Sequence, residues 1–213
     1  MTDLFNIRRD FSLKTLSESD VNPNPINLFE VWFKEAVAAE ALEPNAMNLA
    51  TSTPEGRPSS RIVLLKQIKE EGFVFFTNYN SRKGEQMALN KYCALNFVWH
   101  ELERQVRVEG IVEKISSKDS DSYFEVRPEK SKLGAWASPQ SKVIPNREFL
   151  EKLMLDFENL YKNKEIPRPE NWGGYIVKPY LIEFWQGRKN RLHDRLQYTL
   201  CENKDWKIER LAP

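Results

Sequence analysis

The chain has 213 residues, with 32 basic and 31 acidic side chains, a formal charge of +1, 40% hydrophobic and 30% charged residues. That profile suits one substantial globular domain and lacks the basic excess that steers a chain to nucleic acid. No apolar run reaches membrane-spanning length and the polar start lacks a signal-peptide core, so a soluble, cytoplasmic protein is expected.

Residues 1–23 are polar and read as a mobile arm or lid ahead of a single domain over 24–213. A helix is predicted from 25 to about 41. Asn24 serves as cap, Pro25 suits the first turn, and Leu28, Phe29, Trp32, Phe33, Ala36 and Val37 form its apolar face. Apolar or alternating runs at 47–53, 59–68, 73–77, 92–100 and 105–115 predict strands, with Pro54-Glu55-Gly56 and Lys69-Glu70-Glu71-Gly72 as hairpin turns. Connections this short favour antiparallel pairing, because parallel strands need long crossovers. Helices are predicted at 81–89 (capped by Ser81), 117–126 and 147–161, and final strands at 174–185 and 195–210. The expected fold is mainly β: an antiparallel sheet or barrel with flanking helices.

Cys93 and Cys201 read as two buried thiols of a reducing compartment rather than a disulfide. With His100 and His193 the only histidines, no Cys/His cluster has metal-ligand spacing, and no metal is expected. The eight glycines form neither a dinucleotide fingerprint nor a P-loop. A phosphorylated ligand must then be gripped by cations, for which Arg61, Lys66, Arg82 and Lys83 stand at strand ends and a helix start. Strict alternation puts Arg61 and Lys66 on opposite faces, unless a bulge intervenes. The segment from Phe184 to Arg195 sets His193 among arginines just after Trp185 and Gly187. It reads as a site for a planar anion or, blandly, as a solvated charged turn. In an extended segment Arg191 and His193 share one face and Leu192 packs inward.

Trp185-Gln186-Gly187, followed by Arg191-Leu192-His193-Asp194-Arg195, resembles the C-terminal signature of the pyridoxamine 5'-phosphate oxidase family. Arg61-Ile62-Val63-Leu64-Leu65-Lys66, Phe76-Thr77-Asn78 with Ser81-Arg82-Lys83, and Trp99-His100 with Leu102 to Val106 follow in family order. So do Gly134-Ala135-Trp136, Gln140-Ser141, Trp172-Gly173-Gly174 and the stretch from Trp206 to Pro213. The resemblance runs from about residue 26 to the last residue.

It implies an FMN-binding split β-barrel that forms a homodimer, with FMN contacts at Arg61, Ile62, Val63, Leu64, Leu65, Lys66, Phe76, Thr77, Arg82, Lys83, Gln105, Gln140, Ser141, Trp185 and Arg195. It places the substrate on Arg8, Lys66, Tyr123, Arg127, Ser131, Arg191 and His193, the last two being the catalytic candidates. Arg8 could equally belong to a tail. Many relatives carry Tyr where this chain has Phe76; nothing is lost if that contact is made by backbone, and about 1 kcal/mol if by the phenol. The implied reaction is oxidation of pyridoxamine or pyridoxine 5'-phosphate by dioxygen to pyridoxal 5'-phosphate and hydrogen peroxide, with ammonia from the amine. The rival readings are a related flavoenzyme for another planar acid and a non-enzymatic nucleotide-binding barrel.

Overall fold

The computed structural model describes Phe5 and residues 10–213. Helix α1 (Pro25–Ala38) begins where Asn24 Oδ1 accepts the Ile26 N–H at 2.9 Å, and proline at the first helical position gives up a donor that would have no partner there. Its face of Leu28, Phe29, Trp32 and Ala36 is buried, with the Phe29 ring 4.8 Å from both Phe73 and Phe97. Burying side chains of this size stabilises by about 1.5–3 kcal/mol each. Val37 was expected on that face but is 52% exposed, because at 100° per residue it turns off the stripe centred on Phe29 and Ala36.

Among the described residues nine strands form one antiparallel system: β1 (Ala46–Ser52), β2 (Pro58–Leu64), β3 (Gln67–Lys69), β4 (Gly72–Asn78), β5 (Tyr92–Trp99), β6 (Arg104–Lys114), β7 (Trp172–Gln186), β8 (Asp194–Leu200) and β9 (Trp206–Arg210). The order is β2-β1-β5-β6-β7-β4-β3, with β8 added to β7 and β9 to β8. The single strand expected at 59–68 is in fact two. The chain breaks at Leu65, whose N–H and C=O are both taken by Asn45, and the next N–H, of Lys66, donates to Val74 O at 2.8 Å. One run thus leaves β1 and joins β4, which links the two ends of the strand order through the chain.

A register shift at Glu109/Gly110 lets the long β7 pair first with β4 and then with β8. The expected strand 195–210 is a hairpin, β8–β9, turning where the Cys201 N–H meets Asp205 O. Cys201 therefore sits in an exposed turn, not in the interior as expected, whereas Cys93 is buried; both thiols are free.

Helices α2 (Arg82–Leu89), α3 (Ser117–Glu125) and α5 (Arg147–Leu160) lie where expected; α4 (Glu129–Ala137) was not foreseen. It buries only Leu133 and Ala137, and Lys130, Lys132 and Gly134 blur its periodicity. Ser131, which alone reads as a turn residue, stands in the first turn of α4. A second, smaller core of Phe124, Leu133, Ile166 and Trp172 ties α3 and α4 to the start of β7.

Candidate active site

The break after β2 shapes the site. A cavity of about 460 Å³ is lined by Arg61, Ile62, Val63, Leu64 and Lys66 from the β2–β3 run, Phe76 and Thr77 from β4, and Lys83 from α2. Tyr123, Arg127, Ser131, Gln140 and Trp172 complete most of the wall. Arg61 and Lys66, expected on opposite faces, share this cavity because the kink at Leu65 interrupts the alternation. Leu65 itself turns into the core, 4% exposed. Arg82 is exposed beside the cavity, and Ser141, at φ 70, follows Gln140.

Arg61 is held without being neutralised. Its Nη1 donates to Thr51 Oγ1 at 2.6 Å and its Nη2 to Ser59 Oγ at 2.8 Å, while both hydroxyls donate to the buried Gln86 Oε1. Thr51 and Gln86 carry no signal in the sequence. Ser59 has a weak one, lying two residues before Arg61 on the same strand face. Lys83 Nζ donates to Gln140 Oε1 at 2.9 Å and to Thr77 Oγ1 at 3.2 Å. Burial, and then the Arg61 charge, pushes the Lys83 ammonium down to about 8. Burial, and then Arg82, lowers Arg61 as well. Among the described residues none of Arg61, Lys66, Arg82, Lys83 and Arg127 has a carboxylate partner. Mutually repelling cations held by neutral oxygens fit a phosphate group.

Arg127 projects just beyond α3, where Pro128 forces the helix to stop. Its Nη2 donates to Ser131 O at 3.0 Å, and its guanidinium lies 4.3 Å from the centre of the Trp172 ring. Phe76 stacks on Tyr123 at 3.9 Å and lies nearly parallel to Trp172 at 5.5 Å.

A second group of expected residues lies elsewhere. Gln105, Trp185 and Arg195 are directly opposite one another on β6, β7 and β8, so their side chains share one face of the sheet. Their neighbours Val106, Phe184 and Leu196 fill the core, which puts the three on the outer face. None of them lines the cavity that holds Arg61. Arg195 is engaged in a fork with the buried Glu183, at 2.8 and 3.0 Å, which raises its pKa, and it also donates to Ala212 O.

The His193 ring lies 4.5 Å from Trp185, and Phe11 meets both rings edge-on at 5.8 Å. His193 Nδ1 accepts the Arg188 N–H at 3.1 Å, which leaves the ring proton on Nε2. Burial, and then Arg191, lowers its pKa, so the ring is neutral at pH 7. The extended geometry expected here is absent. Lys189–Arg191 form a 3-10 turn in which Asn190 and Arg191 both have positive φ, 57 and 61. That reversal sends Leu192 to solvent, 68% exposed, rather than inward. Arg8 lies outside the described residues.

An open antiparallel barrel with an anion cavity built from unpaired cations defines the class: a split-barrel protein. The chain belongs to the pyridoxamine 5'-phosphate oxidase family. The profile described as "Pyridoxamine 5'-phosphate oxidase" matches residues 33–160, and that of the "Pyridoxine 5'-phosphate oxidase C-terminal dimerisation region" matches 172–213. The chain is 58% identical over 208 residues to the pyridoxine/pyridoxamine 5'-phosphate oxidase of Nostoc sp., covering 98% of this chain and 97% of the relative. The enzyme of the same name from Paraburkholderia xenovorans is 55% identical over the whole of both chains. Among solved structures, PhzG from Burkholderia lata in complex with tetrahydrophenazine-1-carboxylic acid superposes with a TM-score of 0.89 at 31% identity, covering 95% of this chain and all of that one. A pyridoxamine 5'-phosphate oxidase-related, FMN binding protein from Nostoc punctiforme shares the fold at a TM-score of 0.69 and 17% identity, over 87% of this chain and 97% of that one.

Proposed function

We propose that this chain is a cytoplasmic, FMN-dependent oxidase that converts pyridoxamine or pyridoxine 5'-phosphate to pyridoxal 5'-phosphate. The observation that carries the reading is the shared cavity, where Arg61 with Lys83 and Lys66 with Arg127 supply cations for two phosphates beside an aromatic wall. Arg61, Arg82 and Lys83 hold the FMN phosphate, and the Thr77 and Gln140 side chains offer hydrogen bonds to its ring edge. Lys66, Arg127, Ser131 and Tyr123 take the substrate phosphate. Held there, FMN would supply the hydride acceptor for oxidation at the substituent carbon of the substrate, with dioxygen as the final oxidant to hydrogen peroxide and with ammonia released by hydrolysis of the imine that the amine substrate gives.

Two phosphate grips would fix both ligands relative to one another, positioning that lowers a barrier by up to about 7–11 kcal/mol in ideal cases. His193, neutral with its proton on Nε2, donates a hydrogen bond to the substrate, and Arg191 holds the charge that develops there.

The Gln105–Trp185–Arg195 ladder completes the site of a second copy in a homodimer. The same outer face exposes Ile62, Tyr92, Val98 and Ile111 and buries Asn96 Oδ1 without a partner among the described residues, as a surface made for another chain does. The test is the absorption spectrum of the purified chain, followed by anaerobic addition of pyridoxine 5'-phosphate. A flavin spectrum that bleaches supports the reading. Failure to retain FMN would sink it, and retained FMN that does not bleach would point to another planar substrate.

A further inference from the structure

Arg104 and Arg127 are both stacked on tryptophans, but only one of them is neutralised. The Arg104 guanidinium lies 4.1 Å from the Trp32 ring centre and pairs with Glu35 at 2.8 Å, so its charge is balanced within the fold. Arg127 lies 4.3 Å from the Trp172 ring centre and 5.7 Å from that of Phe124, and among the described residues its hydrogen bond goes to a neutral carbonyl, Ser131 O. Burial makes that uncompensated charge costlier and lowers its pKa. An indole face steadies a guanidinium through its quadrupole without using any of its N–H donors.

Trp172 is itself firmly set. It is 6% exposed, its N–H and C=O are taken by Pro169 O and Arg168 Nη1, and Phe124 meets its ring edge-on at 5.2 Å. Its register partner at the end of the β4–β7 ladder is Asn78.

From this contrast we infer that Trp172 is a positioning residue: its indole face holds the Arg127 guanidinium in the orientation that grips the substrate phosphate. The inference rests on the reading that Lys66 and Arg127 bind that phosphate. Free Arg127 would have several rotamers open to it, and the stack removes that search before the substrate arrives. Because the phosphate does not react, Trp172 acts on substrate binding.

A double-mutant cycle with the FMN-loaded enzyme tests this. Trp172→Phe keeps an aromatic ring in the second core but shrinks the face under the guanidinium. We expect it to raise KM for pyridoxine 5'-phosphate about three- to ten-fold, the upper end matching a cation–π contact of roughly 1 kcal/mol or slightly more, with the change falling on KM rather than kcat and FMN affinity unmoved. In an Arg127→Ala background the same substitution should add nothing to KM, since its target is gone. An unchanged KM in Trp172→Phe would overturn the inference. So would an equal rise in both backgrounds, which is what a packing defect produces. If Arg127→Ala itself leaves KM unchanged, the phosphate reading fails, and this inference falls with it.

Discussion

Lys83 shows how a buried cation couples ligand binding to pH. The unfolded chain keeps its ammonium proton up to the ordinary 10.5, whereas the folded one loses it near 8. Between those values the unfolded state binds more protons, so this group's penalty on the fold is present below pH 8 and is relieved as pH rises through that window. Phosphate binding runs the other way, because it needs the ammonium. The FMN dissociation constant is expected to climb above pH 8, towards about ten-fold per pH unit, as one proton is taken up on binding. Lys83→Met should bind FMN more weakly at pH 7 and lose that slope; quenching of FMN fluorescence reads both, and a slope retained in the variant would clear Lys83 of the role.

In the C-terminal segment, Arg191→Ala and His193→Ala should leave the protein yellow and cut kcat/KM, with Arg191 the worse by the roughly 1.5–3 kcal/mol of a charge-assisted contact. Arg195→Ala should instead release FMN and leave the buried Glu183 carboxylate with Arg107 as its remaining cation among the described residues. Flavin lost from Arg191→Ala and kept by Arg195→Ala would refute this division. At this scale the cations Arg61, Lys66 and Lys83 were legible from their places at strand ends and a helix start, and Arg127 through the family resemblance; the fold brings all four to one cavity. Thr51, Gln86 and Glu183 were not, since hydroxyls, amides and acids that orient an arginine look like any other polar residue until the fold brings them within 3.0 Å.

Elements carry the next level of control, and the N-terminal strap is the clearest case. Residues 11–16 hold little regular structure, yet the Ser12 and Leu13 N–H groups donate to Glu103 Oε2 at 2.7 and 3.0 Å, and the Leu16 N–H donates to Asp194 Oδ2. Phe11 is thereby set against Trp185 and His193, and Gly187 makes room for it: a Cβ there would lie 2.7 Å from Phe11 Cβ. Gly187→Ala should displace the strap. Faster proteolytic cleavage within residues 10–16 and a lower kcat/KM, with the barrel's thermal midpoint little changed, is the expected outcome; equal protease resistance would show that the contact gives way without consequence. The glycine of the Trp185-Gln186-Gly187 run was visible in the sequence, but its reason was not, because Phe11 lies far away along the chain. The same limit explains the strand expected at 59–68. Its residues suit β structure throughout, and only the Asn45 and Val74 contacts around Leu65 and Lys66 reveal that the run changes partners midway. Helix α4 was missed for the opposite reason: its own residues give almost no periodic signal, and its place is set by the second core.

At the scale of the whole molecule, the expected flavin contacts divide between two surfaces of one chain. Arg61, Thr77, Lys83 and Gln140 meet at the cavity, whereas Gln105, Trp185 and Arg195 stand on the outer face of the sheet, and no rotamer change carries a side chain through a barrel wall. In the proposed homodimer the division would be resolved by each site taking one set from each chain. This arrangement makes a demand that a monomeric site cannot meet. Arg61→Ala and Arg195→Ala should each be nearly inactive alone. Unfolded together and refolded as a mixture, they form hybrid dimers in which one site carries both substitutions and the other carries neither. With random pairing, half of the dimers are hybrids and half of the sites in each are intact, so roughly a quarter of wild-type activity should return. The regained activity must elute with the dimer in size-exclusion chromatography and must be absent when the two variants are refolded separately and mixed afterwards. If both variants are dead singly and the co-refolded mixture stays dead, while wild type survives the same refolding, both arginines belong to one chain's site and the shared-site reading fails.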